Sequence, residues 1–210
     1  MTWNTTALTR ASLDATTDNV ASGLSELHTA IGRVNEMLAH PASPATTAWP
    51  LVAQSIVQVV TVANSTWTNI PGSSYTIPLD NTIPQSTEGY QILSQSFTPK
   101  SATSTILIKI DGYAISGGTA IYDSAILSLF DGSANAIAAK WVGYAHAANI
   151  DHISSLSLTK AVSSGSVSAR TYSARLAPTT TTGNVAINGN SSGALLGGVS
   201  SVTMTIMEIV

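Results

Sequence analysis

Between Leu13 and Leu38 the large apolar positions are Leu13, Val20, Leu24, Leu27, Ile31, Val34 and Leu38, and from Val20 onward their spacing alternates four, three, four, three, four. Such alternation is the seam of a coiled coil rather than the broader stripe of a surface helix. Thr17, Leu24, Ile31 and Leu38 take position a, while Leu13, Val20, Leu27 and Val34 take position d. Parallel dimers favour β-branched residues at a and leucine at d. Valine at d with leucine at a points instead to three or more strands, and predicts a short parallel trimeric coiled-coil stalk, the alternative being a helix packed on its own domain, since four heptads is about the shortest run that marks a coiled coil. Gly23 and Gly32 lie inside it, and its flanking positions hold Ala21, His28, Ala30 and Asn35 in place of charged pairs. Each glycine costs about 1 kcal/mol against alanine, so the stalk needs contacts elsewhere in the chain to hold its strands together.

The period then changes. Pro41, Pro44 and Pro50 remove donors and disfavour helix in the residues before them, which ends the stalk. Beyond them the chain alternates in short runs rich in Val, Ile, Thr and Ser. Strands are expected at 54–63, 66–70, 74–78, 90–97, 104–112, 121–130, 135–144, 153–161, 166–176, 184–188 and 201–209. Ile106, Ile108 and Ile110 share one face against Thr105, Leu107 and Lys109; Ala125, Leu127 and Leu129 share another, and Leu156 and Leu158 a third. Asp80-Asn81, Asp111-Gly112, Gly117-Gly118, Asp131-Gly132 and Asn188-Gly189 fall between these runs, where turns require φ above zero. Many short strands without intervening helices predict a mainly β sandwich or barrel. Four segments follow: a leader, 1–12, whose Trp3 and Leu8 are candidates for docking a larger particle; the stalk, 13–39; a proline-rich linker, 40–50; and a β head, 51–210.

Composition sharpens this picture. Only 9% of residues are charged, against about 25% in an average soluble domain. A surface so poor in charge suits a chain covered by copies of itself. The net charge of -3 comes from scattered residues, without the basic patch that nucleic acid requires. Cysteine is absent, so no disulfide, thiolate metal site or thiol nucleophile is available. The first residues lack the basic start and apolar run of a signal peptide, and no apolar stretch approaches membrane-spanning length; assembly in a cytoplasm without membrane insertion is expected.

Chemistry-bearing groups are sparse. His146, Asp151 and His152 sit in one short segment, HAANIDH, but their spacing matches no zinc or calcium pattern, and neither metal nor cofactor is expected. No Gly-x-Ser-x-Gly elbow occurs, the glycines near 183–198 lack phosphate-binding spacing, and the acids are dispersed, so enzyme activity is not expected. Tyr113, Tyr122, Trp141 and Tyr144 are candidates for a receptor-facing shelf that stacks on sugar rings, or else for core and intersubunit packing. Lys109, Arg170, Arg175 and Glu208 fall within strands, where each must face solvent or pair with charge near an intersubunit axis.

A coiled-coil start, a proline break, and then FTPKSATSTILIKIDG (97–112), ILSLFDGSANAIA (126–138), SVSARTYSARL (166–176) and SSVTMTIMEIV (200–210) resemble the jelly-roll head domain of tailed-bacteriophage fibre and spike proteins. That domain is similar in fold to the trimeric tumour-necrosis-factor and complement globular-head group. The resemblance spans roughly residues 50–210 and rests on strand style and order. It implies a homotrimer in the virion, with the stalk toward the particle, contacts to other virion proteins through residues 1–40, and an outward antiparallel jelly-roll β-sandwich that adheres to host-surface polysaccharide or protein. The chain departs from longer fibres in lacking shaft repeats, which keeps a capsid decoration protein open as an alternative. A secreted cytokine-like trimer is a further alternative, disfavoured by the missing signal peptide and cysteines.

Overall fold

A computed structural model of the chain describes residues 55–117, 124–143, 152–190 and 192–210. The chain divides between Pro50 and Leu51, and every described residue belongs to the second unit. The stalk positions Leu13, Val20, Leu24, Leu27, Ile31, Val34 and Leu38 and the docking candidates Trp3 and Leu8 therefore lie outside the described residues, as do Tyr122, Tyr144, His146 and Asp151.

Among the described residues the chain is all β. The strands are β1 (Ile56–Asn64), β2 (Thr68–Pro71), β3 (Tyr90–Phe97), β4 (Thr105–Gly117), β5 (Ser124–Phe130), β6 (Ala138–Gly143), β7 (His152–Ser163), β8 (Arg170–Pro178), β9 (Asn184–Ile187), β10 (Gly189–Asn190), β11 (Gly193–Ala194) and β12 (Val202–Ile209). One sheet runs β1-β12-β4, with β7 along the far edge of β4; β4 is long enough that β12 pairs with its first half and β9, followed by β2, with its second. The other sheet runs β3-β8-β5-β6. Taking only the eight long strands, the first pairs with the last (β1 with β12), the second with the seventh (β3 with β8), the third with the sixth (β4 with β7) and the fourth with the fifth (β5 with β6). All four pairings are antiparallel, so the chain behaves as one long hairpin wound over itself into an antiparallel β-sandwich.

Alternation dictates what lies between the sheets. Ile106, Ile108 and Ile110 are fully buried whereas Thr105 and Lys109 are exposed, and Val202, Met204 and Ile206 of the neighbouring strand point the same way. From the opposite sheet Leu127, Leu129, Tyr172, Ala174 and Leu176 meet them in one continuous core. Each such side chain contributes roughly 1.5–3 kcal/mol on leaving water.

Two expectations fail here for identifiable reasons. Residues 74–78 form no strand, because Pro71, Pro78 and Pro84 deny this stretch a regular ladder. Residues 72–89 instead cross the outer face of the β3-β8-β5-β6 sheet. At one end the Ile77 N–H donates to the Pro178 carbonyl at 3.2 Å; at the other the Ser86 N–H reaches the Ala134 carbonyl at 2.7 Å. Asp111-Gly112 is no turn either, since β4 runs straight through it to Gly117. Gly112 has φ 156°, and a Cβ there would stand 3.1 Å from the Val202 Cα, so the glycine serves close strand approach.

Removing residues 202–210 would take out the strand between β1 and β4 and uncover Ile106, Ile108 and Ile110. The expected outcome is an insoluble chain, or one lacking a cooperative thermal transition by circular dichroism; a soluble, cooperatively melting truncation would contradict the assigned sheet order.

Candidate functional site

The two outer faces of the sandwich differ. On β5 every residue is buried, on both sides, because residues 72–89 lie over it: Ile77 packs against Ile126 and Ala177, outside the main core. On the outer face of the other sheet, the side chains of β1, β12, β7 and the first half of β4 are exposed or half-buried, whereas Ile115 and Ala186, where β4 meets β9, are buried. Register sets them in rows. Val59, Met207, Leu107 and Ala161 stand side by side across β1, β12, β4 and β7, and Ile56, Ile209, Thr105 and Ser163 form the row beside them. Next come Thr61, Thr205, Lys109 and Thr159, then Ala63, Thr203, Asp111 and Ser157. Val59 is 54% exposed and Ile56 56%. The result is a surface four strands wide, apolar at one end and threonine- and serine-rich beyond, with its one described ion pair, Lys109 to Asp111 at 2.9 Å, closed upon itself. An exposed pair of this kind adds about 0–1 kcal/mol.

This sheet is cross-linked from beneath. Glu208 points inward between Met207 and Ile209 and is fully buried. Its carboxylate accepts from the Ser104 hydroxyl at 2.6 Å, the Lys100 N–H at 2.8 Å, the Ser101 N–H at 2.9 Å and the Gln58 side-chain amide at 2.9 Å. Burial pushes this carboxyl up, but the Ser104 hydroxyl, the two backbone N–H groups and the Gln58 amide more than offset it and hold it below its ordinary value. Thus one side chain ties β12 to β1 and to the loop before β4. Neither solvent nor charge from another copy, the two surroundings expected for Glu208, is what satisfies it. Other strand charges also have local partners: the Arg170 guanidinium donates to the Ser164 carbonyl at 2.8 Å and that of Arg175 to the Glu88 carbonyl at 2.9 Å.

The receptor-facing candidates do not converge. Tyr113 lies on the outer face of β4, half-buried, its hydroxyl donating to Ser200 Oγ at 3.2 Å. Trp141, 59% exposed, lies on the outer face of β6, across from Ile126 and thus on the opposite side of the sandwich. His152 opens β7; among the described residues no three His, Cys, Asp or Glu side chains gather as metal ligands. Likewise, no helix among them is long and apolar enough to cross a membrane. Sequence reasoning missed the Ile56, Val59, Leu107, Met207 and Ile209 surface. Its signal was there in IVQVV, ILI and TIMEI, which are apolar on both faces of a strand.

No protein-family model matches the chain, and no curated protein matches it. Among solved structures it is similar to dimeric latent PorU from Porphyromonas gingivalis, at 10% identity and a TM-score of 0.38, over 80% of this chain and 14% of that one. It is similar also to the infectious bursal disease virus Gx strain structure, at 14% identity and a TM-score of 0.33, over 80% of this chain and 42% of that one. The VP2 subviral particle of infectious bursal disease virus is similar at 13% identity and a TM-score of 0.31, with coverage of 80% and 42%. This chain spans less than half the length of each. Likeness at this level carries neither family nor function.

Replacing Glu208 by glutamine leaves one inward amide among donors arranged for a carboxylate, and should destabilise the fold by about 2 kcal/mol at neutral pH. Because the folded carboxyl is held below 4.5, its ordinary value, its stabilisation is complete above that pH and is lost as pH falls through the lower folded value. Denaturant melts of wild type and Glu208→Gln across pH 3 to 7 should therefore converge toward the acid end. Parallel curves would refute the assignment.

Proposed function

We propose that the chain is a virion structural protein, a homotrimeric fibre or spike subunit of a tailed bacteriophage, whose β-sandwich stands outward for host-surface adhesion. The observation that carries the proposal is the partly apolar outer face of β1, β12, β4 and β7. A sheet whose second face holds Val59, Leu107, Met207 and Ile209 in adjacent positions leaves apolar area in water unless another surface meets it. A four-strand-wide surface whose one described ion pair is closed on itself suits a second copy of the same chain, as the 9% charged composition also does. The nested strand pairing supports the jelly-roll reading of the sandwich. Residues 1–40 would attach the trimer to the particle, and many trimers per particle would turn weak host contacts into firm adhesion.

Sedimentation equilibrium of the full chain at micromolar concentration should give a trimer. Leu107→Lys and Met207→Lys, placed on the contact face, should shift it to monomer while keeping the β-sheet circular dichroism signal, and Trp141→Lys, on the opposite face, should not. A monomeric wild type would overturn the proposal.

A further inference from the structure

The end of the sandwich from which β12 departs carries a second apolar feature. Residues 195–199, Leu-Leu-Gly-Gly-Val, project between β11 and β12, with Leu195 40%, Leu196 68% and Val199 85% exposed. Leu196, Gly197 and Gly198 have φ of 55°, 61° and 81°, a single left-handed turn closed by the Gly198 N–H on the Leu195 carbonyl and the Val199 N–H on that of Leu196. A leucine in the left-handed region is strained by about 1 kcal/mol or more. Here the strain holds its side chain in water rather than in a core. The base is firm: the Leu195 N–H donates to the Asn188 carbonyl at 3.3 Å, and the Trp67 indole N–H to the Asn190 carbonyl at 2.9 Å. Trp67, 37% exposed, stands against the β10-β11 hairpin that bears the tip.

We infer that this tip is a lipid-contacting apex, inserting Leu195, Leu196 and Val199 to the headgroup level of a bilayer with Trp67 behind them. Three observations select lipid over protein. Residues 176–207, the tip among them, contain no charged side chain, so the tip itself carries none into a low-dielectric surface. The tip is a short turn, and its three exposed side chains fall far short of the roughly 800 Å² per partner that a stable protein interface buries. Finally, an indole beside aliphatic tips is the arrangement that anchors a protein at a bilayer surface. The contact is shallow and involves no membrane span. The Val210 N–H bonds the Ser55 carbonyl at 3.1 Å, so Ser55 lies at the end of β1 away from the tip, about 30 Å from Asn64 by strand rise. The inference rests on the proposed adhesion role only for which end points outward.

The test is flotation of the full chain with vesicles of phosphatidylcholine, and separately of phosphatidylethanolamine with phosphatidylglycerol. Wild type should float with both, with little dependence on salt. Leu196→Asp and Val199→Asp should each lower partitioning about tenfold or more. Leu196→Gly is the discriminating variant: it relieves the left-handed strain and should keep or raise the melting temperature, yet lose vesicle binding. A wild type that does not float, aspartate variants that float equally, or variants whose defect is a changed oligomer would overturn the inference. A trimer that binds host cells but not vesicles would sink the apex alone; a monomer that floats would sink the trimer alone.

Discussion

The structure depends on hydrogen bonding along both edges of β4. Thirteen residues make it the longest described strand, and no single partner matches it on the β12 side: β12 pairs from Thr105 to Asp111 and β9 from Ala114 to Gly117, while β7 runs the length of the other edge. The two partners change over at Gly112, where the missing Cβ admits Val202. That junction sets where β12 begins, and so where the 195–199 turn must leave the sheet. Core, outer face and apex all follow from one strand: from Thr105 to Asp111 its even positions fill the core and its odd positions lie on the outer face, and its middle glycine fixes the exit of the chain beside it.

Low charge is a property of surfaces here. The core needs no explanation beyond alternation, but the outer face of the first sheet is built from Thr, Ser, Ala and aliphatic residues where a monomer would place Lys and Glu. Several charged side chains make internal contacts, Glu208 inside the sandwich and Arg170 and Arg175 on carbonyls. Lys109 and Asp111 neutralise each other on the face itself. Hydroxyls can be desolvated against another surface at far lower cost than unpaired ions, so the composition fits burial of this face.

Strands whose two sides differ were legible in the sequence. Ile106, Ile108 and Ile110 alternate with polar or half-buried residues, and one inward face follows directly. Strands apolar on both sides were located but not understood, since period two assigns one face to the core and leaves Val59, Leu107 and Met207 without a reason. Residues 74–78 carry β-forming Tyr, Thr and Ile, yet three prolines at 71, 78 and 84 overrule that preference by removing ladder donors. Asp111-Gly112 has the composition of a turn, but the glycine answers a packing demand from a strand ninety residues away. Glu208 could not have been placed, because its donors come from residues 58 and 100–104, brought together only by the sheet order.

On the proposed reading the two apolar surfaces would have different tasks. A face four strands wide would allow many weak contacts at once between copies, whereas the turn at 195–199 is short and strained and offers little area to a rigid partner. A fluid surface places no demand on shape complementarity, so a tip too small for a protein interface suffices there. If copies associate, contacts that are individually weak would multiply through shared attachment rather than through larger contact area, so even so small an apex could contribute to the proposed adhesion.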